Sequence, residues 1–249
     1  MRQDTGKVFN ELAEGYARYR PRWSDEVITA VASLSRGNTR ALEVGCGSGQ
    51  ATSLLASHFE EVIATDPAPA AIERAPAINN VQWAVGTCDS TPAADESVDL
   101  IFAAQAAHWF DMDAFSRECR RVGSPEGRVA LIGYDLLVIG DEAIDTMLHE
   151  FYHDVRGDWD ERRGFVDARY TTLEFPFSDL DPPPTPSLQV EWPLEGLLGY
   201  LRTWSGVRNQ KARTQQDPVA ALEGPIRALW GQSPRVITFP VFIRAGEVH

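Results

Sequence analysis

Nowhere in this 249-residue chain is there an apolar run long enough to cross a bilayer, a basic-apolar N-terminal signal or a lipidation motif. A cytoplasmic protein with no membrane partner is the expectation. Cysteine is scarce. Cys46, Cys88 and Cys119 are odd in number and follow no spacing pattern, which argues against a disulfide framework and against a metal knuckle, so no bound metal is expected. Positive charge is also short, with 23 basic against 36 acidic residues, a net charge of −13 and no basic cluster. Such a surface repels phosphate backbones and anionic lipid, so nucleic acid is not an expected substrate. Internal repeats are absent too.

What is present is an ordinary apolar content, 43% of residues, enough for the real core of one sizeable α/β domain. Residues 8–19 repeat Phe9, Leu12, Ala13, Tyr16 and Tyr19 at helical spacing, and Arg20-Pro21 ends that pattern. Ser24 can cap a second helix reaching about Leu34. Such a helical pair ahead of the first strand (residues 1–38) is either a lid over a site or plain packing on the sheet. From residue 39 to 134 strand and helix candidates alternate. The strands, at 40–44, 61–65, 81–85, 98–103 and 128–134, are short, continuous and rich in Val, Ile, Leu and Ala, as strands buried on both faces are. Helices are expected at 51–59, 69–75 and 112–122. This rhythm implies a doubly wound parallel sheet with ligands beyond the carboxyl ends of its strands. Residues 135–187 read as an insertion after the fifth strand. It contains an amphipathic helix at 141–155, then an irregular stretch from about 156. Residues 188–249 hold helices at 194–204 and 218–230 and two strands, 188–192 and 235–244, expected to complete the sheet.

Four segments carry chemistry. In Ala41 to Gln50 (ALEVGCGSGQ) an apolar strand enters a turn with Gly45, Gly47 and Gly49 at alternate positions, just ahead of a helix N-terminus. Glycine there permits a sharp turn and close approach of a ligand to the backbone, and the helix amides point at what sits there. A dinucleotide fingerprint would place its third glycine at position 50, where Gln50 stands. Asp66 ends the second strand, where a carboxylate can accept from both ribose hydroxyls of an adenosine, or simply cap the turn before Pro67. Asp89, in Gly86 to Asp89 past the third strand, can accept from an adenine amino group while the Cys88 backbone contacts the ring, or can be an ordinary turn aspartate. Beyond the fourth strand, Gln105, His108, Trp109 and Phe110 gather polar and aromatic groups as a site does.

These residues resemble those of the class I S-adenosylmethionine-dependent methyltransferases, in the type 11 group that includes the trans-aconitate methyltransferases. The likeness runs through ALEVGCGSGQ, Asp66, GTCD, SVDLIF with its following HWF, and SPEGRVAL. It extends to residues 9–21 and to a tail with YTTLEFPF, GYLRTWS and Trp230-Gly231, so it covers essentially the whole chain. It implies a Rossmann-like, doubly wound, mostly parallel seven-stranded sheet, with S-adenosylmethionine as cofactor. By the same resemblance Glu43 and the backbone of Gly45, Cys46, Gly47 and Gly49 hold the methionine part, and Asp66 the ribose. Pro67 lies near the adenine, Cys88 and Asp89 face its edge, and Gln105 also borders the cofactor. Cys88 stands where the group usually has alanine, and Asp89 where it often has glutamate.

The implied reaction is methyl transfer to a small molecule, by a monomer or homodimer. Tyr16, Tyr19, Trp109 and Tyr134 are candidates for an aromatic wall beside the sulfonium, with Arg20 also on the substrate side. A carboxylate acceptor needs no base; for a hydroxyl or carbon acid, His108 is the best placed one, against a positioning or packing role. Arg20, Arg202 and Arg208 can receive an acid, or can lie on the surface. His149 to His153 matches the H-E-x-x-H zinc pattern on a helix, but nearby residues offer only generic acids as a third ligand. Two other readings stay open, a cofactor-binding protein without catalysis and an NAD(P)-binding oxidoreductase. The absence of a Tyr-x-x-x-Lys pair counts against the second.

Overall fold

In the computed structural model, which describes residues 19–249, seven strands form one sheet in the order β3-β2-β1-β4-β5-β9-β6. They are β1 (Arg40–Val44), β2 (Glu61–Asp66), β3 (Val81–Val85), β4 (Val98–Ala104), β5 (Gly123–Tyr134), β6 (Ser178–Leu180) and β9 (Val241–Glu247). The first five run parallel, and β9 runs antiparallel to both β5 and β6. Ala41 to Val44 and Leu100 to Ala103 are buried throughout, which is why these stretches are apolar at every position but Glu43. The strand order reverses between β1 and β4, so a crevice opens beyond their carboxyl ends.

Local chemistry starts the helices where expected. Ser24 Oγ accepts from the Val27 amide ahead of Asp25–Ala32, Pro69 occupies the first turn of Pro69–Ile72, and Asp111 accepts from the Ala114 amide ahead of Met112–Val122. Asp99, at the opposite end of β4 from the crevice, braces the amides of Thr39 and Arg40 and is a structural residue.

Packing divides the chain into two compact units. One comprises residues 22–136, 162–188 and 240–249 and contains the seven-stranded sheet. The other comprises residues 137–161 and 189–239, with the described residues before 22. Its helices are Glu142–Asp154, Leu194–Arg202, Ser205–Thr214 and Ala220–Trp230. An aromatic cluster forms its core: the Trp159 ring meets Tyr152 at 4.7 Å and Trp204 at 5.5 Å between centroids. Gly206 makes room for Trp159, because a Cβ there would stand 1.4 Å from the indole.

The later half departs from expectation in three ways. Strand β7 (Leu188–Trp192) does not complete the large sheet but pairs with β8 (Arg235–Phe239) in a two-stranded sheet. Its sequence carries the reason, since buried Leu188 and half-buried Val190 and Trp192 alternate with exposed Gln189 and Glu191, the period of a strand covered on one face. Residues 235–244 are two strands broken at Pro240, and only the second joins the large sheet. Residues 156–187 are not wholly irregular: they contain a helix at Arg163–Asp167 and strand β6, whose three residues are too few to show any period. The segment 135–187 is therefore shared between the two units. The expected helix at 8–19 lies outside the described residues except for Tyr19, and Tyr16 lies outside them with it.

Candidate functional site

The crevice is built around the turn after β1. Gly45, Gly47 and Gly49 all take left-handed backbone conformations, with φ of +74°, +56° and +85°. Two of them are also sterically obligatory. A Cβ on Gly45 would stand 2.6 Å from the Ala106 methyl, and one on Gly49 would stand 2.3 Å from the Trp83 ring. The amides of Gly45 and Cys46 bond the Thr65 carbonyl at 2.8 and 3.0 Å, fastening the turn to β2. One residue on, the Asp66 carboxylate accepts from the Gly47 and Ala68 amides, each at 2.9 Å. Each oxygen keeps a lone pair, and the side chain stays half-buried, so bracing the turn and accepting from a ligand are compatible roles.

Glu43, the last polar residue of β1, is buried and accepts from Thr52 Oγ1. Burial pushes its carboxyl up to about 8; the Thr52 hydrogen bond opposes the rise, and the charge of Asp66 adds to it. Cys46 is buried as well, and burial, followed by the charges of Glu43 and Asp66, holds its thiol well above the usual range. Its side chain is an inert packing group, and only its backbone belongs to the turn.

The neighbouring strand ends complete the crevice. Val85 pairs in register with Asp66 and is 58% exposed, a bare apolar face beside a carboxylate, with Pro67 exposed next to it. In the turn after β3, Cys88 is half-buried, its thiol raised by burial, and Asp89 is exposed. Gln105, the residue after β4, takes a left-handed conformation, φ +53°, with its amide donating to Ile132 O at 2.9 Å and its side-chain nitrogen donating to Tyr134 O at 3.4 Å. Non-glycine residues rarely hold that conformation outside constrained sites. A 3-10 turn at Ala107–Trp109 follows. It sets His108 Nδ1 3.3 Å from the Tyr170 hydroxyl, and it exposes Trp109, with the Arg162 guanidinium 5.2 Å from its ring centroid. Tyr134, at the end of β5, is buried against Trp23 with ring centroids 5.7 Å apart.

One end of the sheet thus gathers Glu43, Gly45 to Gly49, Asp66, Pro67, Cys88, Asp89, Gln105, His108, Trp109 and Tyr134. Tyr19 and Arg20 belong to the other unit. There Tyr19 packs on Gly199, and Arg20 lies over Tyr200 at 5.3 Å and donates to Thr203 O at 3.5 Å. Arg202 is engaged by Asp217 at 2.8 Å and Glu223 at 3.7 Å, which leaves it poorly placed to receive an acid. His149 and His153 are exposed on their helix, and among the described residues no group of three or more His, Cys, Asp or Glu is arranged to hold a metal ion. Sequence reasoning missed Val85, Trp23, Arg162 and Tyr170. Of these only Val85 carries a signal, because it is an apolar residue at the mouth of a strand whose partner ends in Asp66.

A methyltransferase domain model matches residues 42–131. A protein of Dictyostelium discoideum that carries the name methyltransferase is 31% identical over 202 residues, 80% of this chain and 76% of its own length. Uncharacterized methyltransferases of Mycobacterium bovis and Mycobacterium tuberculosis are 34% identical over 133 residues, 53% of this chain and 54% of theirs. A solved structure from Anaeromyxobacter dehalogenans, described as a type II methyltransferase, superposes with a TM-score of 0.86 at 39% identity, covering 92% of this chain and 98% of that one. These names give no acceptor and do not reach the trans-aconitate subgroup. With the glycine turn, the braced Asp66 and a mostly parallel seven-stranded sheet, they establish that the chain belongs to the S-adenosylmethionine-dependent methyltransferases.

Proposed function

We propose that the carboxyl ends of β1 to β4 seat S-adenosylmethionine and that its methyl group goes to a small organic acid. The observation that carries the first half is the Asp66 carboxylate, fixed by two backbone amides next to the exposed Val85. A carboxylate with spare lone pairs suits a ribose diol, and a bare apolar face beside it suits the adenine ring. Pro67 continues that face, and Cys88 and Asp89 border the adenine edge. The glycine turn keeps its backbone bare for the methionine part, with Glu43 beneath it and Gln105 across from it. A site bordered by the carboxylates of Asp66 and Asp89 favours a cationic ligand and disfavours a diphosphate, which speaks against a nicotinamide dinucleotide. When bound, the cofactor supplies a methyl group already activated by its sulfonium charge. The protein's contribution is then proximity and alignment, worth roughly 7–11 kcal/mol of barrier. Trp109 and Tyr134 offer aromatic faces to that charge, about 0.5–2 kcal/mol each.

The Arg162 guanidinium, 5.2 Å from the ring centroid of exposed Trp109, supports an acidic acceptor. Calorimetry with S-adenosylmethionine, its demethylated product and the nicotinamide cofactors tests the seat; binding of nicotinamide cofactors alone ends this reading. A panel of small acids, phenols and amines, assayed for demethylated cofactor, tests the acceptor. Turnover confined to phenols or amines would remove the acid while leaving the seat in place.

A further inference from the structure

We infer that Tyr170 positions His108, donating its hydroxyl proton to Nδ1 so that the imidazole keeps its own proton on Nε2 and meets the acceptor as a hydrogen-bond donor, not as a base. The inference rests on the proposed methyl transfer to an acid and on the sequence-based reading that puts His108 beside the acceptor.

Tyr170 is fully buried in the core of the sheet-bearing unit, yet its hydroxyl lies 3.3 Å from Nδ1 and the two rings stack with 24° between their planes. Burial keeps the phenol protonated, and its oxygen also takes part in a hydrogen bond with the backbone of Ala107. A hydroxyl proton buried without an acceptor is costly, and Nδ1 is an acceptor within reach. Which imidazole nitrogen carries the proton is set by the bond the other one makes.

The backbone around Tyr170 is constrained for this placement. Arg169 and Tyr170 are consecutive non-glycine residues with φ of +51° and +61°. Such strain persists only where the surroundings over-determine it. Three contacts do so here. The Tyr170 amide donates to Phe165 O at 2.7 Å, and Arg169 pairs with Asp135 at 2.7 Å. From β9, the Arg244 guanidinium clasps the carbonyls of both Tyr170 and Leu173. Phenol and imidazole are thus both referenced to the same sheet, one through β9 and the other through β4.

The consequence is chemical. Transfer to a carboxylate breaks the sulfur–methyl bond, leaves its electron pair on sulfur and forms an oxygen–methyl bond with an electron pair of the acid. No proton is released, so no base is required, and an Nε2–H donor can hold one carboxylate oxygen while the other attacks.

The test is nitrogen-15 NMR on the full chain labelled at its five histidines, without any acceptor, with the His108 signals assigned by their loss in His108→Gln. In the wild type at neutral pH, Nδ1 is expected at the shift of an unprotonated acceptor nitrogen and Nε2 at that of a protonated one. In Tyr170→Phe, His108 is expected to move to a mixture of tautomers, with the other four histidines and the heat of S-adenosylmethionine binding unchanged. A proton on Nδ1 in the wild type overturns the inference, and that measurement needs no variant. So does an unaltered tautomer in a folded Tyr170→Phe. Failure of S-adenosylmethionine to bind the wild type would instead end the proposed function and leave the tautomer result standing.

Discussion

Glu43 shows how one side chain can tie the site to the stability of the protein. Its carboxyl is buried and raised from 4.5 to about 8, chiefly by burial. Between those values the folded protein holds a proton that the unfolded chain has released. Stability is therefore fully present below this window and falls as pH climbs through it, by up to about 1.4 kcal/mol per pH unit. Glu43→Gln keeps an oxygen to accept from Thr52 and removes the titration. Its melting temperature should decline less than the wild type's between about pH 5 and about pH 8, with the gap widening toward the alkaline end. Melting curves that stay parallel across this range would show that the buried carboxyl is not titrating. Asp66 makes the complementary prediction for binding. Two hydroxyls bonded to a carboxylate contribute about 1.5–3 kcal/mol each, so Asp66→Ala should weaken S-adenosylmethionine by roughly a hundred-fold or more in calorimetry. A change under about two-fold would remove the ribose role. The position of Asp66 was legible from the end of an apolar run. Capping the turn at Ala68 was one of the two readings the sequence offered, whereas bracing Gly47 was not legible, because that depends on where another turn comes to lie.

At the scale of elements, the glycine turn and β3 are fitted to each other. Gly49 needs its left-handed conformation and also needs to lack a Cβ, since Trp83 occupies that space; Gly47 needs only the first, because a methyl there would meet nothing within 4 Å. Gly47→Ala should therefore cost about 1–2 kcal/mol of stability. For Gly49→Ala the overpacking of Trp83 adds about 1–3 kcal/mol. Chemical denaturation of both variants checks this, and equal losses would mean the Trp83 ring yields freely. The turn itself was legible because glycines at alternate positions after an apolar strand have few other uses. The partnership with Trp83 was invisible, being a contact between residues 34 positions apart. The same distinction separates β1, β2, β4 and β5 from β6 and β7, while β3, expected to be buried on both faces, is an edge strand with Gln82 and Val85 exposed. Strands buried on both faces announce themselves as continuous apolar runs, whereas a three-residue edge strand has no pattern. An alternating strand such as β7 reveals its half-exposed state but not its partner. Tyr170 was hidden for a further reason. The backbone that delivers it is held by Arg244 and Asp135, far from it in sequence, against the conformational preference of Arg169 and Tyr170 themselves.

For the molecule as a whole, the net charge of −13 bears on which cofactor is accepted. S-adenosylmethionine carries a sulfonium and an ammonium against one carboxylate, so it approaches as a cation, while its demethylated product is neutral and a nicotinamide dinucleotide is an anion. A ligand that binds only the folded state adds about 2.7 kcal/mol of stability at a hundred times its Kd. For a chain of this size each kcal/mol raises Tm by about 2–4 °C, so saturating S-adenosylmethionine should raise Tm by about 5–11 °C. Nicotinamide cofactors should leave it unmoved, since the carboxylates of Asp66 and Asp89 border the site where their diphosphate would have to sit. Salt offers the sharper discrimination. Screening contracts the reach of charge from about 10 Å at 0.1 M to about 3 Å at 1 M, so the affinity of the cation should fall over that range while that of the neutral product holds nearly constant. Calorimetry of both ligands at the two salt concentrations compares the slopes directly. If both affinities respond equally, the acidic lining contributes nothing to the choice of cofactor, and the glycine turn with Asp66 must account for it through hydrogen bonds and shape alone.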